Sequence, residues 1–266
     1  MKKTLYFLLG IALIGTLLVA GCAQQQAVPP QQTPAPTTVP LTTVQTTIQT
    51  PAAPAGYTVK LGDTSLGKVL TGADGMTLYF FITDLAGEGV STCYGSCASF
   101  WPVFYASTIS VEPPLRASDF SSITRTDGTM QTTYKGRPLY SFANDKRPGD
   151  VKGENVLKTW YVAKTDYTVM IASRPETGAF LTDSTGRALY IWLKDTTLGD
   201  SACRGTCAAT WPPFSASTLV VPSALSLTDF STFTRSDGMR QTAFMGRPLY
   251  YYSLDKDAGD LYGQGI

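Results

Sequence analysis

The sequence predicts an all-β protein built as two tandem, pseudo-symmetric β domains. Each domain divides into two related, hairpin-rich halves, and one short helix accompanies each Cys-x-x-x-Cys…Trp-Pro segment. Three observations lead to this reading. Residues 78–104, LYFFITDLAGEGVSTCYGSCASFWPVF, return as residues 189–214, LYIWLKDTTLGDSACRGTCAATWPPF, so the chain repeats itself over a long period. Asp-Gly turns at Ala73-Asp74-Gly75, Thr126-Asp127-Gly128 and Ser236-Asp237-Gly238 separate short runs rich in Thr, Val, Ile and aromatics, the pattern of hairpins. The form Tyr-x-aromatic-x-x-Asp occurs four times: at Tyr79, Phe81 and Asp84; at Tyr140, Phe142 and Asp145; at Tyr190, Trp192 and Asp195; and at Tyr250, Tyr252 and Asp255.

The chain opens with MKKTLYFLLGIALIGTLLVAGC. Lys2 and Lys3 give a positive start, and residues 5–18 form an apolar run too short for a comfortable membrane span. Val19-Ala20-Gly21-Cys22 then resembles the lipobox of bacterial and archaeal lipoproteins. That resemblance implies a signal peptide over residues 1–21, a diacylglyceryl group on Cys22, and a protein held outside the cytoplasm on a prokaryotic membrane. Cysteine arithmetic agrees, because five cysteines less Cys22 leave two identical pairs. Each buried CH₂ of an acyl chain contributes about 0.8 kcal/mol, so a multiply acylated Cys22 needs no spanning helix to stay anchored.

Residues 22–56 form the next segment. From Ala23 onward they consist mainly of Pro, Thr, Gln and Ala, without charge or aromatic residue until Tyr57. Such a composition cannot bury enough apolar surface to offset chain ordering, and its prolines favour extended conformations. A semi-stiff, disordered stalk is expected.

The remainder divides into a first β domain, 57–165, and a second, 166–266. Tyr57-Thr58-Val59 opens one and Tyr167-Thr168-Val169 the other; GKVLTGADG matches GAFLTDSTG, DFSSITRTDG matches DFSTFTRSDG, and KGRPLYSFAND matches MGRPLYYYSLD. Within Tyr-x-aromatic, residues two apart share one face of a strand, which predicts that the two rings stack on one side of the sheet. Where the intervening residue is also apolar, as at Phe80 and Ile191, a central strand is expected. The Asp arrives as the strand ends, placed to accept N–H groups from the following turn. Gly136-Arg137-Pro138 and Gly246-Arg247-Pro248 break hairpins before a Leu-Tyr strand. Only residues 96–100 and 206–210 read as briefly helical, stopped by the Pro after Trp101 and Trp211. Residues 157–162, LKTWYV, form an obvious closing strand of the first domain; the second stops at Ile266, which aligns with Val156, so its matching strand is absent, either because the chain is naturally short or because the reading is truncated. An open sheet edge is therefore expected there.

The four motif copies, together with Cys93-x-x-x-Cys97…Trp101-Pro102 and Cys203-x-x-x-Cys207…Trp211-Pro212, resemble the secreted-repeat lipoproteins marked by a Yx(FWY)xxD motif. The resemblance covers residues 57–266. It implies export and frequent lipid anchoring; the family has no established biochemical activity, so no catalytic residue carries over.

Composition narrows the chemistry. Without a single histidine, Ser-His-Asp catalysis, His-ligated haem and the common zinc sites are excluded. Setting aside Lys2 and Lys3 leaves 19 basic against 20 acidic residues, which offers no footprint for nucleic acid. Outside the cytoplasm, Cys93/Cys97 and Cys203/Cys207 are expected to oxidise to structural disulfides. Thiol exchange or binding of a soft metal ion such as Cu(I) is the competing use of these pairs. Asp145, Asp150 and Glu154, echoed by Asp255, Asp257 and Asp260, read as turn carboxylates; their spacing fits no EF-hand. No catalytic, cofactor or metal residue is assigned. The expected function is a non-enzymatic binding or structural module, tied to a membrane through Cys22 and facing wall polymer or surface proteins. A redox or copper-handling lipoprotein is the alternative.

Overall fold

The computed structural model describes residues 56–266. The predicted signal peptide, the lipid site Cys22 and the stalk as far as residue 55 lie outside the described residues. In the first half of the body, β1 (Val59–Thr64) and β2 (Gly67–Gly72) form a hairpin, followed by β3 (Tyr79–Phe81) and the short helix α1 (Ser96–Phe100). Next come β4 (Phe120–Thr124), β5 (Met130–Tyr134), β6 (Arg137–Pro138) and β7 (Trp160–Val162). The second half repeats the series as β8 (Val169–Arg174), β9 (Gly178–Asp183), β10 (Tyr190–Ile191), α2 (Thr206–Thr210), β11 (Phe230–Thr234), β12 (Arg240–Phe244) and β13 (Arg247–Tyr250). All-β architecture with one short helix per cysteine pair is thus what the chain forms. Among the described residues no helix is long and apolar enough to cross a membrane.

Local chemistry explains the turns. Gly75, Gly128 and Gly238 hold positive φ, and the N–H of each bonds back across its turn, as Gly128 does to the Arg125 carbonyl. Lys135-Gly136 and Met245-Gly246 are both left-handed, the two-residue turn that suits the twist of flanking strands. The helices are only five residues long and end as predicted before Pro102 and Pro212.

The two halves differ at one strand. In the first, β3 pairs with β7 through Tyr79↔Val162, Phe80↔Tyr161 and Phe81↔Trp160, and bridges Tyr140 on its other side. β3 is central, as its apolar Phe80 suggested. In the second, β10 pairs among the described residues with β13 alone, giving the order β10-β13-β12-β11. Ile191 does not mark a central strand, contrary to expectation: it is 45% exposed where Phe80 is 3%. The reason is that no described residue pairs with the far side of β10.

What closes each half is a reciprocal bond between its motif copies. The Tyr79 hydroxyl donates to Asp145 Oδ2 at 2.7 Å, and the Tyr140 hydroxyl donates to Asp84 Oδ2. The second half repeats the exchange, with Tyr190 to Asp255 at 2.7 Å and Tyr250 to Asp195 at 2.6 Å. Every Tyr therefore reaches the Asp of the other copy, never its own. The remaining oxygen of each Asp accepts a backbone N–H from the following loop: Thr92, Lys152, Ala202 and Tyr262. The turn role expected for these aspartates holds, and the tyrosine bond is added to it.

Two of the four bonds continue inward. Asp195 accepts from Tyr250, Tyr250 from Ser201 at 2.6 Å, and Ser201 from Arg235 Nη1 at 2.9 Å. Tyr250 has one proton and gives it to the carboxylate, so Ser201 must donate to Tyr250. The first half carries the same chain through Arg125, Ser91, Tyr140 and Asp84. All donors point from cation to anion, an arrangement that polarises each bond. The arginines also donate to Gln131 and Gln241 at 2.8 Å and to the carbonyls of Cys93 and Cys203. Hairpin, cysteine loop and tyrosine strand are tied at one buried point.

Burial pushes Tyr250 up to about 12, with the bonded Asp195 adding to the shift, and pushes Tyr79 and Tyr140 up for the same reasons. Burial also raises Asp84, against the hydrogen bonds from Thr92 and Tyr140.

Two outcomes follow from this geometry. Tyr140→Phe removes a fully buried donor from a carboxylate and should cost roughly 1.5–3 kcal/mol in urea denaturation, while Tyr105→Phe on the surface should change little. A loss at Tyr140 no larger than at Tyr105 contradicts the bond. A raised tyrosine favours the neutral phenol in the folded state, so its stability is whole below the unfolded value near 10 and falls as pH climbs towards about 12. Tyrosinate absorbance and near-UV circular dichroism should then change together over that window. Smooth titration of all tyrosines near pH 10 with the dichroism intact is the contrary result.

Candidate functional site: an aromatic cleft in the second half

Four rings form a column in the first half. Trp160 of β7 lies flat between Phe81, at 4.2 Å and 9°, and Trp101, at 3.8 Å and 3°. Trp101 continues onto Phe142 at 4.3 Å, with Tyr79 against its edge at 5.4 Å. The Tyr-x-aromatic rings do share one side of the sheet, but they do not stack on each other. Phe81 stacks on Trp160, and Tyr79 meets Trp101 and Phe142, because Trp160 of β7 and Trp101, just after α1, lie between the two rings.

The second half builds the same column with one ring fewer. Trp211 packs on Tyr252 at 4.6 Å, and Tyr190 meets its edge at 5.6 Å. Trp192 holds the place of Phe81, but no described residue of this half stands where Trp160 stands. A cleft of about 660 Å³ opens there, lined among others by Phe180, Leu189, Tyr190, Trp192, Trp211 and Gly263. Its floor is firm because Gly263 lies against the rings: a Cβ added there would come within 2.9 Å of Tyr190 and 3.1 Å of Trp211. Gly153 presses on Tyr79 and Trp101 in the same way in the first half.

The mouth of the cleft is apolar. Leu193 is 79% exposed, whereas its counterpart Ile82 is buried against Tyr161 and Ile171. Lys194 is the one charged residue in the lining, its ammonium 5.5 Å from the centre of the Trp192 ring. Such a site can hold a flat or apolar group by stacking, and it offers main-chain groups of β10 at its rim.

The other predicted site residues lie elsewhere in the fold. Cys93–Cys97 and Cys203–Cys207 are disulfides with Cα separations of 5.3 and 5.2 Å, spanning into α1 and α2 beside Trp101 and Trp211. As disulfides they present no thiolate to a metal. Asp150 bonds Lys146 N–H and Lys152 Nζ at 2.9 Å each, Glu154 takes the Val162 N–H, and Asp260 caps the Lys256 turn. These carboxylates close their own loops and do not converge on a pocket. Among the described residues no group of three or more His, Cys, Asp or Glu side chains is placed to hold a metal ion.

Sequence reasoning missed the buried arginines, serines and glutamines. The signal was present in the repeated Thr-Arg-x-Asp-Gly, where a charged residue recurs beside a turn that does not need it. It also missed Phe180, which replaces Val69 and forms a wall of the cleft.

No curated protein and no solved structure matches the chain at a significant level. A family model described as a secreted repeat of unknown function matches residues 60–105, 121–164, 172–215 and 231–266. These four segments follow the four Tyr-Asp units seen in the fold and place the protein outside the cytoplasm. Matched over well more than half of its length, the chain belongs to this family of secreted repeats.

Proposed function

We propose that the protein is a lipid-anchored binding module without catalytic activity, carried on the 22–56 stalk and presenting the aromatic cleft of its second half at the cell surface. One observation carries this reading: among the described residues, Trp192 and Trp211 line a cleft of about 660 Å³ beside the Tyr190–Asp255 and Tyr250–Asp195 bonds. An open aromatic cleft on a framework pinned by buried bonds is a preformed recognition site. The motif carboxylates support the non-catalytic part, since each is engaged by a tyrosine and a backbone N–H and none lines the cleft. The near balance of charge in the body favours a protein or neutral polymer over nucleic acid as partner.

Lipid anchoring predicts that the full chain fractionates with membranes and that Cys22→Ala moves it to the soluble extracytoplasmic fraction; unchanged fractionation contradicts the anchor. For the cleft, the soluble Cys22→Ala protein should enhance the fluorescence of an anilinonaphthalene sulfonate probe. Adding Trp192→Ala should cut that enhancement at least about threefold at unchanged Tm. Equal enhancement contradicts a binding cleft at this position.

A further inference from the structure

A guanidinium is buried at the seam between the two halves. Arg137 of β6 is only 2% exposed, and its Nη2 donates across the seam to Thr182 Oγ1 of β9 at 3.2 Å. Its Nε and Nη1 are buried too, and among the described residues neither finds an acceptor. The two carboxylates whose charge it feels are committed elsewhere. Asp183 takes Tyr251, Thr185 and Arg187, while Asp84 takes Tyr140 and Thr92. Burial pulls Arg137 down to about 10, which still leaves it cationic at neutral pH. A charge buried without a partner costs far more than a buried neutral donor, so this side chain calls for an anion.

The space beside it has the matching chemistry. Arg137, Lys135 and Lys164 line a cavity of about 10 Å³ that has no carboxylate in its wall, and Thr165 and Ser184 add hydroxyls. Lys135 is half-buried, its ammonium 5.4 Å from the centre of the Tyr134 ring. Lys164 Nζ donates to the Leu66 carbonyl at 3.1 Å and stands 3.8 Å from Asp166, whose side chain is 56% exposed and screened by solvent. Positive groups around a low-dielectric hollow concentrate the potential within it. The volume admits one monatomic ion or one water and is too small for sulfate or phosphate.

We propose that the seam is a binding site for a monatomic anion of the chloride class, held by the Arg137 guanidinium with Lys135 and Lys164 completing its field. The ion joins the halves, because Lys135 and Arg137 belong to the first, Ser184 to the second, and Lys164 and Thr165 to the link between them. A ligand that binds only the folded chain stabilises it by mass action. The site is separate from the aromatic cleft and does not depend on it.

The test melts the full-length Cys22→Ala protein in sodium chloride and in sodium methanesulfonate at equal ionic strength. Tm should rise by at least about 3 °C between chloride-free buffer and about 0.2 M chloride, with no such rise in methanesulfonate. The chloride NMR resonance should broaden on adding protein and narrow again when bromide competes. Arg137→Met should abolish both effects, whereas Arg116→Met, at an exposed position, should keep them. Lys135→Gln, at a half-buried position, should weaken chloride binding at least about threefold, a readout that stands if the Arg137 variant does not fold. Equal Tm in the two salts without line broadening means that water fills the cavity and overturns the proposal. Broadening that survives Arg137→Met overturns it as well, and so does a bromide-soaked crystal with no anomalous peak beside Arg137.

Discussion

The fold depends on a swap of hydrogen bonds: the tyrosine that begins one copy of the motif is satisfied only by the aspartate that ends the other. A lone buried carboxylate or phenol is costly, so neither copy can bury its polar pair without its partner. This explains why the repeats occur in twos and why Tyr and Asp are separated by a length that lets one strand and one turn intervene. The bond from Tyr79 to Asp145 joins residues far apart in sequence, and its mirror from Tyr140 to Asp84 locks the same two segments a second time. Arg125 and Arg235 then attach the cysteine loop to the closed pair, and the disulfide fixes that loop beside the Trp-Pro.

A scaffold closed from within in this way holds its buried bonds independently of its outer rings. Tyr250 is fully buried and bonded although no described residue of its half stands where Trp160 stands in the first. The first half shows the column complete, with indole on indole at 3.8 Å. The second shows the same walls around an opening.

Much of the fold was legible because its signals are local. The Asp-Gly turns, the two short helices and the cysteine pairing each follow from residues within a few positions of one another, and periodicity two placed Tyr79 and Phe81 on one face. What the sequence hid was pairing across copies. Nothing in Tyr-x-Phe-x-x-Asp tells a reader that the phenol ignores its own aspartate, since the choice is made by strand order. Ile191 misled for a related reason: an apolar residue at a central position and one on an edge strand have the same local pattern. The buried Arg235 was overlooked because charge near a turn usually belongs to solvent, whereas here Ser201, Gln241 and the Cys203 carbonyl surround it.

The exchange of bonds is tested most directly by a double-mutant cycle on Tyr250→Phe and Asp195→Asn, read by urea denaturation of the full-length Cys22→Ala chain. If the tyrosine of one copy and the aspartate of the other are partners, the two losses should fall short of additivity by at least about 1 kcal/mol. Strict additivity there, with coupling found instead between Tyr250 and Asp255 of the same copy, contradicts the account.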